Sequence, residues 1–116
     1  MTERSKITLA SESGLTIRST TDISDAIQAC IGKADLLLTE SDLGPDFFVL
    51  HTGLAGELFQ KCINYRVRLA IVIPNPPAYG ERFAELANEH QSHNTVRFFS
   101  SIEDAKTWLK AESPNS

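Results

Sequence analysis

The sequence lacks a long apolar run, a block of basic residues and a large number of cysteines. Hydrophobic residues make up 41% of the 116 residues, but they occur in short runs. None approaches the roughly 20 apolar residues that a membrane-spanning helix needs. The N-terminus also has no apolar stretch that would serve as a signal peptide. We therefore expect a cytoplasmic protein with no membrane span.

The charge balance is mildly acidic. Fifteen Asp and Glu residues oppose eleven Lys and Arg residues, for a net charge of −4. A field of this sign disfavours nucleic acid and anionic membrane surfaces. We therefore predict no nucleic-acid partner, and a protein or a small molecule remains as the expected partner.

Only two cysteines occur, Cys30 and Cys62, each on the apolar stripe of a predicted helix. They could form a disulfide or a redox pair, or they could be small buried hydrophobes. A reducing cytoplasm favours the second interpretation.

Motifs for cofactor, metal or covalent chemistry are also missing. The glycine-rich loops that hold phosphates or dinucleotides are absent. His90 and His93 are three residues apart, but a metal site needs further ligands and the sequence offers none nearby. We predict no metal, no cofactor and no catalytic residue set.

The most informative stretch runs from residue 51 to residue 73. Leu54, Leu58 and Cys62 recur every fourth residue, which predicts a helix over 53–65. The nearly unbroken aliphatic run over 67–73 is typical of a strand buried on both faces. A helix that leads directly into a central strand indicates an α/β domain.

The chain before this stretch predicts a hairpin, a helix and a strand. Residues 7–9 and 15–17 alternate apolar and polar side chains around Gly14, which indicates a β-hairpin. An amphipathic helix then ends near Gly32, and the apolar run 35–39 predicts a central strand.

The chain after it predicts a helix over 78–91, a strand over 95–99 and a last helix that carries Trp108. We expect Trp108 to be buried against the last strand. The predicted architecture is one α/β domain over 1–116 with the order ββαβαβαβα. Its sheet is mixed but mostly parallel, with helical crossovers, and residues 1–5 and 112–116 are expected to fray.

The run Phe47-Phe48-Val49-Leu50 does not fit an amphipathic helix, because four consecutive apolar side chains point in all directions. We predict a short helical segment near 46–50 and then a kink. We also predict that the run leaves an exposed apolar patch, and contiguous patches of this kind favour a homodimer.

Thr52 and Gly53 lie at the start of the main helix. We predict that Thr52 caps it, with Gly53 in its first turn. Gly53 and Gly56 could alternatively serve close packing of the helix against the sheet.

The segment Thr52-Gly53-Leu54-Ala55-Gly56-Glu57, with Asn64-Tyr65-Arg66 and the following strand, resembles a bacterial family of unknown function, domain of unknown function 4180. The resemblance covers nearly the whole chain, from Leu15 to Leu109. The family implies no established activity.

More distantly, the layout is similar to the STAS domain of anti-sigma-factor antagonists, the SpoIIAA-like fold. There a Ser-Gly-Leu turn begins a helix, and a partner kinase phosphorylates the serine. Thr52-Gly53-Leu54 matches that turn, so the resemblance implies Thr52 as a candidate phosphorylation site. The chain departs from the family in a longer loop before Thr52, and Leu50-His51 replaces the usual acidic residue.

In an open α/β sheet, sites gather beyond the carboxyl ends of the parallel strands. The segments that follow the predicted central strands, and the start of the main helix, should therefore share one edge. The residues expected to converge there as a ligand or partner site are Glu40, Asp42, His51, Thr52, Gly53, Asn75 and Tyr79.

Two functions remain open at this point. One is a non-catalytic regulatory or interaction module of STAS-like type, switched at Thr52 or binding a small anionic or apolar ligand. The other is a small enzyme that uses His51 with Asp42 or Glu40. We favour the module, because no recognisable nucleophile spacing surrounds His51.

Overall fold

The computed structural model describes residues 7–32, 34–91 and 93–111, and both ends that we expected to fray lie outside this part. The strands are β1 (Ile7–Leu9), β2 (Asp35–Thr39), β3 (Leu69–Val72) and β4 (Val96–Phe99). The α-helices are α1 (Ala10–Ser13), α2 (Thr20–Cys30), α3 (Leu54–Tyr65), α4 (Glu81–Glu89) and α5 (Ile102–Ala111). Four short 3₁₀ segments lie in the connections: Glu40–Asp42, Pro45–Phe48, Leu50–Thr52 and Pro76–Tyr79.

The four strands form one sheet in the order β1-β2-β3-β4, and every neighbouring pair is parallel. Leu36 pairs with Leu69, and Ile71 pairs with Phe98. Because each strand lies beside the one before it, crossovers of a single hand place every connecting helix on the same face of the sheet. The α/β class and the helical crossovers are therefore confirmed.

The predicted opening hairpin is wrong, and so is the mixed sheet that it implied. Residues Ala10–Ser13 form a helical turn directly after β1, which Gly14 ends in the left-handed conformation at φ 72°. Ile17 forms a parallel bridge with Leu43 instead of pairing with β1. Alternating apolar residues show that a segment pairs with something, but they do not show which segment it pairs with.

The sheet separates two apolar cores, because successive side chains of a strand point to opposite faces. Leu36, Leu38 and Ile71 face the larger core beneath α2, α3 and α4. Leu37 and Ala70 face the smaller core beneath α5. The prediction of central strands buried on both faces is confirmed.

Trp108 anchors the smaller core. Its side chain is only 6% exposed, and its ring centroid lies 5.7 Å from that of Phe99 on β4. This confirms the expected burial of Trp108 against the last strand.

Both cysteines are buried in the larger core. Burial, with the neighbouring Cys30 adding to it, raises the pKa of Cys62 to about 12. A thiol with so high a pKa is a poor nucleophile at neutral pH, which favours the interpretation as small buried hydrophobes.

The kink before the main helix is confirmed, but its cap is not the one we predicted. Gly53 is the N-cap of α3, with φ 81° and no side-chain cap. Thr52 lies outside the helix, where its hydroxyl donates to the carbonyl oxygens of Asp46 at 2.9 Å and Val49 at 2.8 Å. It also accepts a 3.3 Å hydrogen bond from the Leu54 amide. Thr52 therefore closes the preceding 3₁₀ turns, because the left-handed glycine separates it from the helix.

The apolar run before the kink does not form the contiguous exposed patch that we predicted. Phe47 is fully buried, whereas Val49 is 42% exposed. Phe48 is partly buried and packs against the larger core. The 3₁₀ geometry, with about three residues per turn, distributes these side chains between the core and the surface.

The helix predicted over 78–91 is shorter and begins later. Gly80, at φ 109°, separates the 3₁₀ turn Pro76–Tyr79 from α4. This break matters for the site, because it gives Tyr79 a different orientation from a residue of α4.

Candidate functional site

The carboxyl ends of β2, β3 and β4 lie at one edge of the sheet, since the strands are parallel. A 3₁₀ turn that begins at Glu40 follows β2, and the turn that carries Tyr79 follows β3. This is the edge at which we expected a site, and it brings part of the predicted set together.

Glu40 and Tyr79 are in direct contact across this edge. The Tyr79 hydroxyl donates a hydrogen bond to Oε2 of Glu40. This bond, with burial and the Glu40 charge adding to it, raises the pKa of Tyr79 to about 12. The phenol therefore stays protonated at neutral pH and acts as a donor that fixes both side chains.

An aromatic cluster holds the Tyr79 ring from the other side. The ring stacks on Phe48, with a centroid distance of 3.8 Å and an interplanar angle of 10°. Phe83 on α4 packs edge-on against both rings, at 5.8 Å from Tyr79 and 5.1 Å from Phe48. Stacked and edge-to-face contacts between aromatic rings add to the stabilisation that burial alone provides.

These rings form one wall of an open groove of about 700 Å³ between the 3₁₀ turns before α3 and the start of α4. We call it the aromatic groove. Its lining residues are Phe48, Val49, Leu50, His51, Tyr79, Gly80, Glu81, Arg82 and Phe83. The groove thus combines an apolar wall with a histidine, an arginine and a glutamate.

A second, smaller cavity of about 360 Å³ lies directly on the carboxyl edge. We call it the edge cavity, and its lining residues are Thr39, Glu40, Ser41, Val72, Pro74, Ser100, Ser101 and Ile102. The Ser101 hydroxyl accepts a hydrogen bond from the Asp104 amide at 3.2 Å, so it is engaged in starting α5. Glu40 lines this cavity and its partner Tyr79 lines the aromatic groove, so their hydrogen bond joins the two.

Asp42 has a structural role in the turn that follows β2. Its side chain is 5% exposed, and Oδ2 accepts hydrogen bonds from the Thr39 amide at 2.8 Å and the Thr39 hydroxyl at 3.0 Å. Asp42 therefore holds the turn that ends β2. It lines neither the aromatic groove nor the edge cavity.

Three of the predicted residues, Thr52, Gly53 and Asn75, line neither the aromatic groove nor the edge cavity. Gly53 supplies the left-handed turn before α3. Asn75 is exposed, and its carbonyl oxygen accepts from the Ala78 amide at 3.0 Å. His51 and Tyr79 are the predicted residues that share the aromatic groove.

The two helix-start glycines do not serve close packing, which corrects the alternative considered above. A Cβ atom built on Gly53 or Gly56 would meet no atom within 4 Å. Gly53 is required by its positive φ, and nothing in the structure explains Gly56.

Seven of the nine residues that line the groove were absent from the predicted site, among them Phe48, Arg82 and Phe83. Phe48 belonged to the apolar run that we expected to leave an exposed patch, and Arg82 and Phe83 lay within the helix predicted over 78–91. The available signal was the glycine at position 80, since a turn there separates Tyr79 from α4 and opens the groove.

His90 and His93 have structural partners. Nδ1 of His93 accepts hydrogen bonds from the amides of Thr95 and Val96, each at 3.1 Å. The His90 ring lies 2.9 Å from the Leu86 carbonyl oxygen through Nδ1. Within residues 7–32, 34–91 and 93–111, no group of three or more His, Cys, Asp and Glu side chains is placed to hold a metal ion.

The described part of the chain also contains no helix that is long and apolar enough to cross a membrane.

Neither the curated proteins nor the solved structures contain a match to the chain. The similarity to STAS domains therefore stays a prediction. One family model does match, and it spans residues 2–109. Since that match covers most of the sequence, the chain belongs to the family described as domain of unknown function (DUF4180).

Proposed function

We propose that this protein is a non-catalytic regulatory or interaction module, whose aromatic groove binds a small apolar ligand that carries an anionic group. The observation that carries the proposal is the groove itself. Its volume of about 700 Å³ is within the range of small-molecule sites, and it pairs an aromatic wall with a few polar groups.

The wall of the groove is preformed. Tyr79 is held by its hydrogen bond to Glu40 and by its stacking on Phe48. A ligand that packs against rings already held in place loses little affinity to side-chain ordering. This supports binding of a flat or apolar group.

The anionic group follows from the charges beside the wall. Arg82 supplies a guanidinium group and His51 supplies an imidazole, and both can donate hydrogen bonds to an anion. Both line the groove and both residues are exposed. A carboxylate, sulfonate or phosphate on an apolar ligand would fit next to them, although Glu81 on the same helix turn limits the net attraction.

The alternative is a small enzyme that uses His51. One observation favours it, since His51 shares the groove with Tyr79, and Tyr79 bonds Glu40. The geometry supports catalysis less well than binding, because both candidate carboxylates already have partners. Asp42 accepts a hydrogen bond from the Thr39 hydroxyl, and Glu40 accepts one from the Tyr79 hydroxyl.

A fluorescent apolar anion tests the proposal. Anilinonaphthalene sulfonate should bind the folded protein at one site, and Phe48→Ala should weaken it by roughly tenfold, because the stacking surface is lost. Tyr65→Ala is the matched control, since Tyr65 is an exposed aromatic residue of α3 that does not line the groove. Equal probe affinity in the wild type and a folded Phe48→Ala variant would contradict the proposed site.

A neutral probe separates the apolar and anionic parts. Arg82→Gln should weaken anilinonaphthalene sulfonate and leave uncharged phenylnaphthylamine unchanged, because only the first carries a charge for Arg82 to pair with. Arg66→Gln, at the far end of α3, is the charge control. If Arg82→Gln weakens neither probe, the anionic part of the proposal fails while the apolar part stands.

Regulation at Thr52 is part of the same proposal, and the resemblance to STAS domains motivates it. Thr52 is exposed and follows His51, which lines the groove. A phosphate would add roughly two negative charges there. It would also disrupt the hydrogen bonds from the hydroxyl to Asp46 and Val49.

Substitution of Thr52 tests the switch. Thr52→Asp should weaken binding of the anionic probe, whereas the uncharged Thr52→Asn should bind it like the wild type. Both variants lose the threonine hydroxyl, so only the charge differs between them. Equal affinity of the two variants would argue against a charge switch at Thr52.

We also propose that the module is a homodimer in the bacterial cytoplasm. Large hydrophobic side chains that are at least 40% exposed occur on several elements, namely Ile31, Val49, Ile63, Tyr65 and Ile102. Light scattering at high micromolar concentration should give twice the mass of one chain. A monomer mass under those conditions would contradict the dimer.

A further inference from the structure

The outer side of β4 is covered by its own preceding loop. The carbonyl oxygens of Thr95 and Phe99 accept from the amides of Leu69, on β3, and Ile73, which follows it, so these two carbonyls face the β3 side. In a parallel ladder, successive residues direct their main-chain groups alternately toward and away from a neighbouring strand. Val96 and Phe98 therefore present their amides to the edge of the sheet.

Both outward amides have partners in the segment that follows α4. The Val96 amide donates to Nδ1 of His93 at 3.1 Å, and the Phe98 amide donates to the carbonyl oxygen of His90 at 3.3 Å. An edge strand with unpaired amides is a template for strand addition, and natural proteins cover such edges. The two histidines thus cover the β4 edge, one through its ring and the other through its main chain.

The covering depends on a neutral imidazole at position 93. Nδ1 accepts from two amides, those of Thr95 and Val96, so the proton of the neutral ring lies on Nε2. A protonated ring has donors at both nitrogens, and Nδ1 would then face two N–H groups.

Two neighbouring basic side chains, those of His90 and Arg97, oppose that protonation. The His90 ring, at the end of α4, lies 5.2 Å from the His93 ring. Arg97 on β4 donates from Nε to the His93 carbonyl oxygen at 3.0 Å, which holds the cation beside the loop. Desolvation by burial is the main cause that lowers the pKa of His93, and the neighbouring His90 and Arg97 lower it further.

We propose that His93 is a proton-sensitive cover of the β4 edge. While it is neutral, its ring keeps the outward amide of Val96 occupied. When it is protonated, it releases the Thr95 and Val96 amides and opens the edge of the sheet.

Amide hydrogen exchange of the nitrogen-15-labelled protein tests this. Exchange rates are divided by the intrinsic rate at each pH, and the amides of Leu36 and Ile73, which donate to the carbonyl oxygens of Arg68 and Phe99, serve as internal references. On going from about pH 7.5 to about pH 5, the Val96 amide should lose protection roughly tenfold more than the references. Unchanged relative protection of Val96 in the wild type would overturn the proposal.

Two variants assign the effect to His93. In His93→Asn the side-chain oxygen can accept from the same amides but does not titrate, so Val96 should stay protected at both pH values. In His93→Lys the acceptor is replaced by a permanent cation, so Val96 should be unprotected at both. If His93→Asn loses protection on acidification as the wild type does, another group titrates and the proposal is wrong.

Discussion

Arg68 and Asp35 form a buried ion pair, with 2.9 Å between Nη2 of the arginine and Oδ2 of the aspartate. The Arg68 amide also donates to Oδ1 of Asp35 at 3.1 Å, and Nη2 donates to the Leu109 carbonyl oxygen at 2.7 Å. The pair thus connects the start of β2, the segment before β3 and the end of α5. It lies at the amino edge of the sheet, away from the candidate site, which indicates a structural role.

Removal of one partner of this pair should be costly. Asp35→Ala leaves a buried guanidinium without its carboxylate and should lower the free energy of unfolding by about 3–5 kcal/mol. The double substitution Asp35→Leu with Arg68→Met should cost less than Asp35→Ala, because it removes both buried charges. Urea denaturation of the three proteins measures this, and a loss below about 1 kcal/mol for Asp35→Ala would show that the pair is not important for stability.

Trp108 should tolerate a smaller aromatic ring but not its removal. Trp108→Ala should cost about 3–5 kcal/mol, since the ring fills the smaller core beside Phe99. Trp108→Phe should cost clearly less, because the Trp108 Nε1 donor has no hydrogen-bond partner within the described residues and is lost without penalty. Thermal unfolding followed by far-ultraviolet circular dichroism compares the two, and equal losses would contradict this account.

Gly53 and Gly56 should respond oppositely to alanine. Gly53→Ala should destabilise the protein by about 1–2 kcal/mol, because its φ of 81° is strained for a residue with a Cβ. Gly56→Ala should stabilise it by about 0.4–1 kcal/mol, because Gly56 is an exposed helical residue with open space around it. Denaturation midpoints check both, and a destabilising Gly56→Ala would show that this glycine has a role that the helix geometry does not reveal.

Tyr79 should titrate late, and Glu40 should be the cause. With Tyr65→Phe as background, Tyr79 is the remaining one of the two tyrosines, and its phenolate absorbance should rise near pH 12. Because folding raises the pKa of this tyrosine, its bond to Glu40 contributes its full stabilisation at pH values below the ordinary tyrosine pKa of about 10. That contribution is lost as the pH rises through about 12. Glu40→Ala should move the titration toward the ordinary pKa, and an unchanged titration would contradict the bond.

The α/β class, the two-sided burial of the central strands and the position of the kink were predictable from the sequence. The run over 67–73 has no polar face apart from Arg68, so the strand that it forms needs a core on both sides. Gly53 after a run of apolar residues indicated a break in the helix. These features depend on local composition and periodicity.

The pairing of the first segment could not be predicted in the same way. The alternation at residues 15–17 was real, since Ile17 is fully buried. Its partner is Leu43, which is distant in sequence, and a long-range partner has no signature in the local pattern. The partners of Thr52 and Asp42 lie only six and three residues away, so the roles of these two residues depend on the local turns that the backbone adopts.

The sequence by itself determined that this chain forms an α/β domain with a candidate site at the carboxyl edge of its strands. Parallel strands connected by helices place the segments after them at one edge whatever the details of packing. Only the tertiary structure decided which side chains meet there. It brought Glu40 to Tyr79 and stacked Tyr79 on Phe48, because these contacts depend on distances of a few ångströms between segments far apart in the chain.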